Sequence, residues 1–375
     1  MAEGAGKAGD ANAEAGGILE IDLAALYANY RDLAARAAPA TCAAVVKADA
    51  YGIGLEAASR TLVAAGCDTF FVALIDEARR LRAVAPKAAI YVLNGLNPGT
   101  AAAYGAIGAR PVLGSRAEIE EWDAHARQSR TAPAALHIDT GMMRHGLTPA
   151  EANALADGMS PLSFKPSLIM SHLACADDPQ NPMTGRQTAA FRTIAARFPG
   201  IPASLANSAG LLAFPDTHFD LVRPGIALYG GAIFVSGENP MRAVVRIRIR
   251  VIQVREAKSG DGVGYGSERR LTRDSKLAIL SAGYGDGIPR AAGSSDKKMG
   301  AEVIIGGRRC PLVGRVSMDL VIADVTDLPD GAVRRGDLAT LVGDGISVDD
   351  LGQPAGTVGY EVLTRLGRRY HRVYA

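Results

Sequence analysis

Eight short apolar runs separated by amphipathic stretches lie between Ala44 and Val222, and they leave this part of the chain few possible folds. They centre on Ala44–Val46, Phe70–Ala73, Ile90–Leu93, Pro111–Leu113, Leu136–Ile138, Leu168–Met170, Ser204–Leu205 and Leu221–Val222. A strand buried on both faces reads as such a run, and parallel neighbours need a crossover of helix length between them. Helical patterns fill the gaps at Leu55–Ala65, Asp76–Val84, Ser115–Gln128, Ala150–Ala156 and Thr184–Phe198, and Ser115 with Glu118 has the spacing of a capping box. The alternation predicts a (β/α)8 TIM-type barrel, with a doubly wound open sheet as the alternative. Ahead of it, Ile18–Asp22 reads as a strand whose Asp22 caps a helix from Leu23 to about Ala37.

Near Pro240 the pattern changes. From Val244 to Val254 apolar residues alternate with Arg246, Arg248 and Arg250, the period of an antiparallel strand with one wet face, and the slip at Val251-Ile252 suggests a bulge. Short β-like runs follow at Lys276–Ser281, Glu302–Ile305, Val321–Val325 and Leu338–Val342. We therefore expect a barrel over 18–240 and a mainly antiparallel β domain over 241–375, with residues 18–22 as a strand of the latter. The Ala/Gly-rich segment 1–17 reads as a disordered tail without the apolar core of a signal peptide, so a cytoplasmic protein is expected. A net charge of +2 gives no reason to expect nucleic acid, and the arginine stripe reads as a solvated sheet face. No apolar run reaches the roughly 18 residues of a membrane span. Cys42, Cys67, Cys175 and Cys310 are scattered without a CxxC pair, so no metal site is expected.

In a barrel of this kind function sits where strands end and the following loops begin. The first strand ends in Lys47, followed by Tyr51; a lysine there has a dry stem and loses its charge more readily, which suits Schiff-base chemistry, while the alternative from this stretch alone is a charge that marks where the strand meets water. The fifth strand runs into Asp139-Thr140-Gly141-Met142-Met143-Arg144, the sixth ends in Ser171-His172, the seventh in Asn207-Ser208, and the eighth in Arg223-Pro224-Gly225-Ile226. The last two loops are where such barrels commonly bind phosphate: Ser208 offers a hydroxyl, and Gly225 and Ile226 offer backbone N–H groups. A cofactor with a phosphate at one end and an aldehyde at the other, such as pyridoxal phosphate, fits the span to Lys47; a phosphorylated sugar on a Schiff-base aldolase fits almost as well.

The stretch Val45-Val46-Lys47-Ala48-Asp49-Ala50-Tyr51-Gly52-Ile53-Gly54 resembles the pyridoxal-phosphate attachment motif of bacterial alanine racemases. The four strand-end segments above resemble the same family in the same order, as do Val263–Gly266, Gly283–Gly287, Ser317–Asp319 and Gly359–Glu361. The resemblance implies a barrel followed by a β domain, pyridoxal 5'-phosphate as cofactor, and a homodimer with shared active sites. It implies that Lys47 carries the cofactor and is one catalytic base, while Tyr265 of the other subunit is the second, on the opposite face of the substrate. Tyr51, Ser208, Gly225, Ile226 and Tyr360 would contact phosphate, with Asn207 beside them; Arg223 would bond the pyridine nitrogen; His172 would pack near the ring. Arg144 and the Met318 backbone would hold the substrate carboxylate, and Tyr284, Arg290, Arg315 and Asp178 would line a narrow entrance.

Three positions depart from the family pattern. Ile53 replaces a usual His or Asn, Ser317 a frequent Cys, and His137 stands where some members carry a carbamylated lysine that steadies the arginine matching Arg144. The implied activity is interconversion of L- and D-alanine for peptidoglycan. A broader amino-acid racemase is the nearest alternative. Related decarboxylases generally place an acid at the pyridine nitrogen, against Arg223, and a non-catalytic cofactor-binding barrel would lack the β domain and Tyr265.

Overall fold

A computed structural model describes residues 12–129, 132–158 and 162–375. The chain divides into two compact units, one formed by the segment ending at Ala25 together with Ala243–Ala375, the other by Leu26–Arg242. The first strand, β1 (Gly17–Ile21), leads into the helix Leu23–Ala37, and Asp22 Oδ1 accepts the Ala25 N–H at 2.7 Å as the expected cap.

In the Leu26–Arg242 unit the strands are β2 (Thr41–Cys42), β3 (Ala44–Val45), β4 (Thr69–Val72), β5 (Ala89–Val92), β6 (Ala109–Leu113), β7 (Ala135–His137), β8 (Leu168–Met170), β9 (Ala203–Ser204) and β10 (Leu221–Val222). β3 to β9 form one parallel sheet in sequence order, and β10 pairs in parallel with β2. β2 and β3 are halves of one barrel strand: Ala43, between them, donates its N–H to Val222 O at 2.9 Å, and Val45, at the end of β3, donates to Pro224 O at 3.1 Å. Asp220 N to Ala203 O and Arg223 N to Ala206 O, both 3.0 Å, join β9 to β10 and close an eight-stranded barrel. The runs are apolar because both faces are covered. Phe70, Phe71, Val72, Ile90 and Val92 are fully buried, each such side chain contributing about 1.5–3 kcal/mol.

The observed helices Leu55–Ala64, Ile75–Val84, Arg116–Ala126, Pro149–Ala156 and Met183–Ala195 agree with expectation to within a few residues at either end. The helix Ala101–Ile107 was not foreseen. Its AAAYGAI sequence is mostly small residues with an internal glycine and shows little amphipathic contrast.

The other unit holds β11 (Val245–Ala257), β12 (Gly262–Val263), β13 (Arg269–Arg270), β14 (Ser275–Leu280), β15 (Glu302–Ile305), β16 (Arg308–Pro311), β17 (Val321–Asp324), β18 (Leu338–Val342) and β19 (His371–Tyr374). β11 is its spine, antiparallel to β1, β14 and β18, while β19 runs parallel to β1. The register of β11 on β14 shifts between Val251 and Gln253, where the alternation slips in sequence. A second shift, on β18 between Ile247 and Arg248, left no such mark. The arginine face is wet and paired: Arg246 with Asp344 and Arg248 with Glu20.

The disordered tail expected over 1–17 needs correction. Gly17 opens β1, and residues 12–14 are helical. Arg250 fastens this segment, donating from its backbone to Gly16 O at 2.8 Å and from its guanidinium to Ala15 O at 3.0 Å and Asn12 O at 2.7 Å. Residues 1–11 of that expectation lie outside the described residues.

Candidate active site

Lys47 follows β3 at the barrel mouth, and the chain then turns left-handed. Ala48, Asp49 and Ala50 have φ/ψ of 55/50, 56/46 and 54/54, and Tyr51 has φ 52. Each L-residue in this conformation costs about 1–2 kcal/mol, so four in succession require strong local bracing. The turn is closed by Ala50 N to Val46 O, Gly52 N to Ala48 O and Gly54 N to Asp49 O, all 2.9 Å, with Gly52 and Gly54 supplying the positive φ values of its exit. It buries Tyr51, whose ring stacks on Tyr229 with centroids 4.5 Å apart. Tyr229 Oη in turn donates to Val45 O at 2.9 Å, on the strand that presents Lys47. The Lys47 amine is lowered from its ordinary pKa, first by burial and then by the cations Arg144 and Arg223, with Glu77 opposing.

Arg223, at the end of β10, is almost completely buried. It donates from Nη1 to Ser204 Oγ and from Nη2 to Ser171 O at 2.6 Å, Leu205 O at 3.3 Å and His172 Nδ1 at 3.4 Å, and its Cζ lies 5.8 Å from the Phe71 ring centre. Its Nε meets no acceptor among the described residues. Burial pushes the guanidinium down to about 9, still above neutral pH, so it remains a cation and a donor only. Burial, then Arg223, Arg144, His137 and Lys47, hold His172 well below the usual histidine range. It is therefore neutral, with Nδ1 as the acceptor facing Arg223. Buried Gln187 fixes the His172 backbone, donating to His172 O at 2.9 Å and accepting from Ala174 N at 2.8 Å.

Asn207 caps the short helix Ser208–Ala213, its Oδ1 accepting from Gly210 N at 2.9 Å. Ser208 Oγ accepts from Gly225 N at 3.0 Å and Ala227 N at 3.3 Å, which ties the seventh and eighth strand-end loops together. The Ile226 N–H, in a residue 1% exposed, has no acceptor among the described residues. A Cβ on Gly225 would stand 2.3 Å from Tyr51 Oη, so glycine is needed for the tyrosine to enter this cradle. A hydroxyl, an unspent backbone N–H and a phenol gathered there suit a phosphate.

Arg144 is held by its backbone. Asp139 accepts from Gly141 N and Met142 N at 2.8 Å and Arg144 N at 2.9 Å, and Met143 adopts φ 56. Burial tends to raise the Asp139 carboxyl, but its backbone N–H bonds outweigh that and hold it low. The Arg144 guanidinium has no hydrogen bond among the described residues. His137 is buried, pushed down to about 3 by burial and then by Arg223, His145 and Arg144. Its ring contacts His145 at 5.4 Å, and His137 Nδ1 and His145 Nε2 both lack partners among the described residues. His137 is therefore neutral, and the contacts that hold the Arg144 backbone are those of the Asp139 turn. Ile53 is fully buried, as its apolar side chain requires. Asp178 accepts the Gln180 N–H at 3.0 Å within its own loop.

The remaining expected residues lie in the β unit. Tyr265, 72% exposed, begins a short turn between Gly264 at φ 69 and Gly266 at φ 76. A Cβ on Gly266 would lie 3.3 Å from Arg315 Nη1, and Arg315 is paired with Glu268. Tyr284 N donates to Ser317 O at 3.0 Å and Gly285 N to Met318 O at 2.9 Å; any Cβ on Gly283 would strike that segment at 2.2 Å. Tyr265, Tyr284, Arg315 and exposed Met318 thus collect around Gly314–Asp319. Arg290 is exposed in the turn Arg290–Ala292. Tyr360 is exposed on the helix Gly359–Thr364, whose Gly359 N bonds Asp349 Oδ1 at 2.9 Å. Sequence reasoning missed Ser204 and Gln187. The signal available was a hydroxyl in an apolar strand run for Ser204 and an uncharged polar residue on the buried helix face for Gln187.

The family model for the alanine racemase N-terminal domain matches residues 21–232, and that for the C-terminal domain matches 244–374. The chain is 53% identical over 360 residues to an alanine racemase of Methylobacterium sp. (strain 4-46), covering 96% of this chain and 98% of the relative. It is 52% identical to that of Methylobacterium nodulans, covering 96% of each. A crystal structure of alanine racemase from Bartonella henselae with covalently bound pyridoxal phosphate superposes with a TM-score of 0.91 at 39% identity, covering 96% of this chain and all of that one.

Proposed function

The chain belongs to the alanine racemase family, and from that premise we propose that it is a pyridoxal-phosphate-dependent isomerase interconverting L- and D-alanine. The observation that carries this reading is the rim of one barrel, where a half-buried amine with a lowered pKa stands with a donor-only arginine and a glycine-cleared cradle. The residues present fit the cofactor. Tyr51, Ser208, Gly225 and Ile226, joined by Tyr360, would hold its phosphate, with Asn207 setting the loop. His172 would lie against its ring, Arg223 would donate to its pyridine nitrogen, and Lys47 would bond its aldehyde carbon. Pyridoxal phosphate, when bound, supplies an electron sink that acidifies the Cα–H of an amino acid.

The chain's own residues do the rest. Arg144 and the Met318 N–H would fix the substrate carboxylate, so that Cα presents one face to Lys47 and the other to the partner's Tyr265 in a homodimer. Lys47 Nζ would take or return the proton on its face, and Tyr265 Oη on the opposite one, which inverts the centre. The depressed Lys47 pKa keeps a larger share of free amine at neutral pH than an ordinary lysine offers. Arg223 gives no proton to the ring nitrogen, which tempers the sink and disfavours transamination. Tyr284, Arg290, Arg315 and Asp178 would narrow the entrance and favour a small side chain. We place the enzyme in the cytoplasm, without nucleic-acid or membrane partners, and its D-alanine in peptidoglycan.

The deciding experiment offers the purified protein a panel of L-amino acids, with and without added pyridoxal phosphate, and scores D-enantiomers. Alanine turnover that depends on the cofactor and exceeds that of larger amino acids is expected; no D-alanine from the loaded protein would defeat the proposal. Arg223→Glu is expected to raise pyruvate release from alanine by about tenfold or more relative to racemisation, since an acid there favours a protonated ring nitrogen. An unchanged ratio would remove Arg223 from control of reaction outcome.

A further inference from the structure

We propose that Glu77 is a positioning residue for Lys47: its single carboxylate ties the left-handed turn after Lys47 to the loop leaving the neighbouring strand β4. This rests on the reading of Lys47 given above. Oε1 accepts from Ala48 N at 2.6 Å and Asp49 N at 3.3 Å, the first two residues of the turn. Oε2 accepts from Ala73 N at 2.8 Å and Leu74 N at 3.1 Å, at the start of the helix that carries Glu77 itself. Four backbone donors thus converge on one side chain, two of them from residues that pay a steric penalty for their conformation.

The same helix braces the turn again three residues on. Arg80 Nη2 bonds Asp49 Oδ1 at 2.6 Å, and that oxygen also accepts from Leu55 N at 3.1 Å. The two contacts differ in consequence. The Arg80–Asp49 pair is half exposed and holds a side chain, whereas Glu77 holds the peptide groups beside the Lys47 Cα and adds a negative charge facing the amine. Arg144, Arg223 and neutral His172 are the other ionisable groups around that amine. Of these groups, Glu77 alone favours its protonated form. Glu77 therefore sets both where Nζ stands and how far the surrounding cations can lower its pKa.

The test compares Glu77→Gln with the unaltered full chain by two measurements that need no turnover. Gln can accept with one atom only and turns an N–H donor toward the other pair of donors. Backbone exchange at Ala48 and Asp49, or at Ala73 and Leu74, is expected to quicken by about tenfold or more while the rest of the barrel keeps its protection. The pH midpoint for competitive acylation of Lys47 in cofactor-free protein, read by peptide mass, is expected to move to lower pH, because loss of a negative neighbour favours the neutral amine. A uniform rise in exchange with an unmoved midpoint would make Glu77 a general stability residue and overturn the inference. If Glu77→Gln does not fold, Glu77→Asp serves instead: it keeps the charge but reaches one donor pair, so the midpoint should hold while exchange rises at one pair. No exchange difference at either pair in that variant would equally overturn it. Borohydride fixation and peptide mapping of the unaltered holoenzyme separates the two claims. A cofactor found on another lysine refutes the reading of Lys47, whereas a cofactor on Lys47 with unchanged exchange in the variant refutes Glu77 alone.

Discussion

Replacing Lys47 by alanine is expected to abolish borohydride-stable attachment of pyridoxal phosphate and to lower alanine racemisation by at least about 10³-fold. The loss should be large because, on the proposed reading, one amine does two things, holding the cofactor and then exchanging a proton at Cα. No neighbour can replace it: Arg144 and Arg223 are cations without a free base, and His172 accepts a hydrogen bond from Arg223 through Nδ1. The sign of the pH dependence follows from its surroundings. Burial, Arg144 and Arg223 lower the Lys47 pKa, so the acidic limb of kcat, which reports the amine freed in the substrate complex, should lie below the titration of an ordinary lysine. Both the limb and part of the rate should return when a small primary amine is added to Lys47→Ala, with the limb following the added amine's own pKa. Thermal unfolding of the variant serves as control. Full turnover in folded Lys47→Ala protein would remove the lysine from the mechanism.

The barrel was legible because its strands are buried on both faces, and such strands write themselves as apolar runs. Once Ala44–Val45, Leu168–Met170 and Leu221–Val222 are placed, the residues directly after them must stand on one rim. Lys47, His172 and Arg223 could be found in that way. Edge elements were harder: β16 is Arg-Arg-Cys-Pro, and β19 carries partly exposed polar residues, so neither shows a buried periodicity.

The left-handed turn was the least visible feature. Ala48, Ala50 and Tyr51 have no preference for positive φ, and only Asp49 is of a type that tolerates it. Besides its own backbone bonds, the turn is braced by Glu77 and Arg80, and Glu77, 28 and 29 residues further along the chain from the groups it binds, reads in sequence as an ordinary acidic residue of a helix's first turn. Contacts across the barrel share this property. The bond from Arg223, just past β10, to Ser204 on β9 joins neighbouring parts of the barrel, and nothing local in either stretch announces it. Local pattern reports burial and period; it does not report which distant backbone groups a carboxylate or hydroxyl will satisfy.

Tyr265→Phe should separate the two faces of the reaction. The side chain is 72% exposed on a turn shaped by Gly264 and Gly266 and flanked by Arg315, so removing its hydroxyl leaves packing and stability almost unchanged. Racemisation is expected to fall by about 10²–10⁴-fold, the usual worth of one positioned acid–base group, with cofactor content unaltered. The loss should also be asymmetric. In deuterium oxide, Lys47 can still remove and return the proton on its own face, so one alanine enantiomer should exchange its Cα hydrogen without inversion while the other does neither. If the active site is shared between protomers, mixing Lys47→Ala with Tyr265→Phe protein should restore activity, because a hybrid dimer carries one site with both bases intact. Native mass spectrometry would establish that subunits have exchanged. Full turnover by Tyr265→Phe, or equal exchange of both enantiomers, would exclude the tyrosine as the second base. Proven exchange without recovered activity would instead confine each site to a single chain.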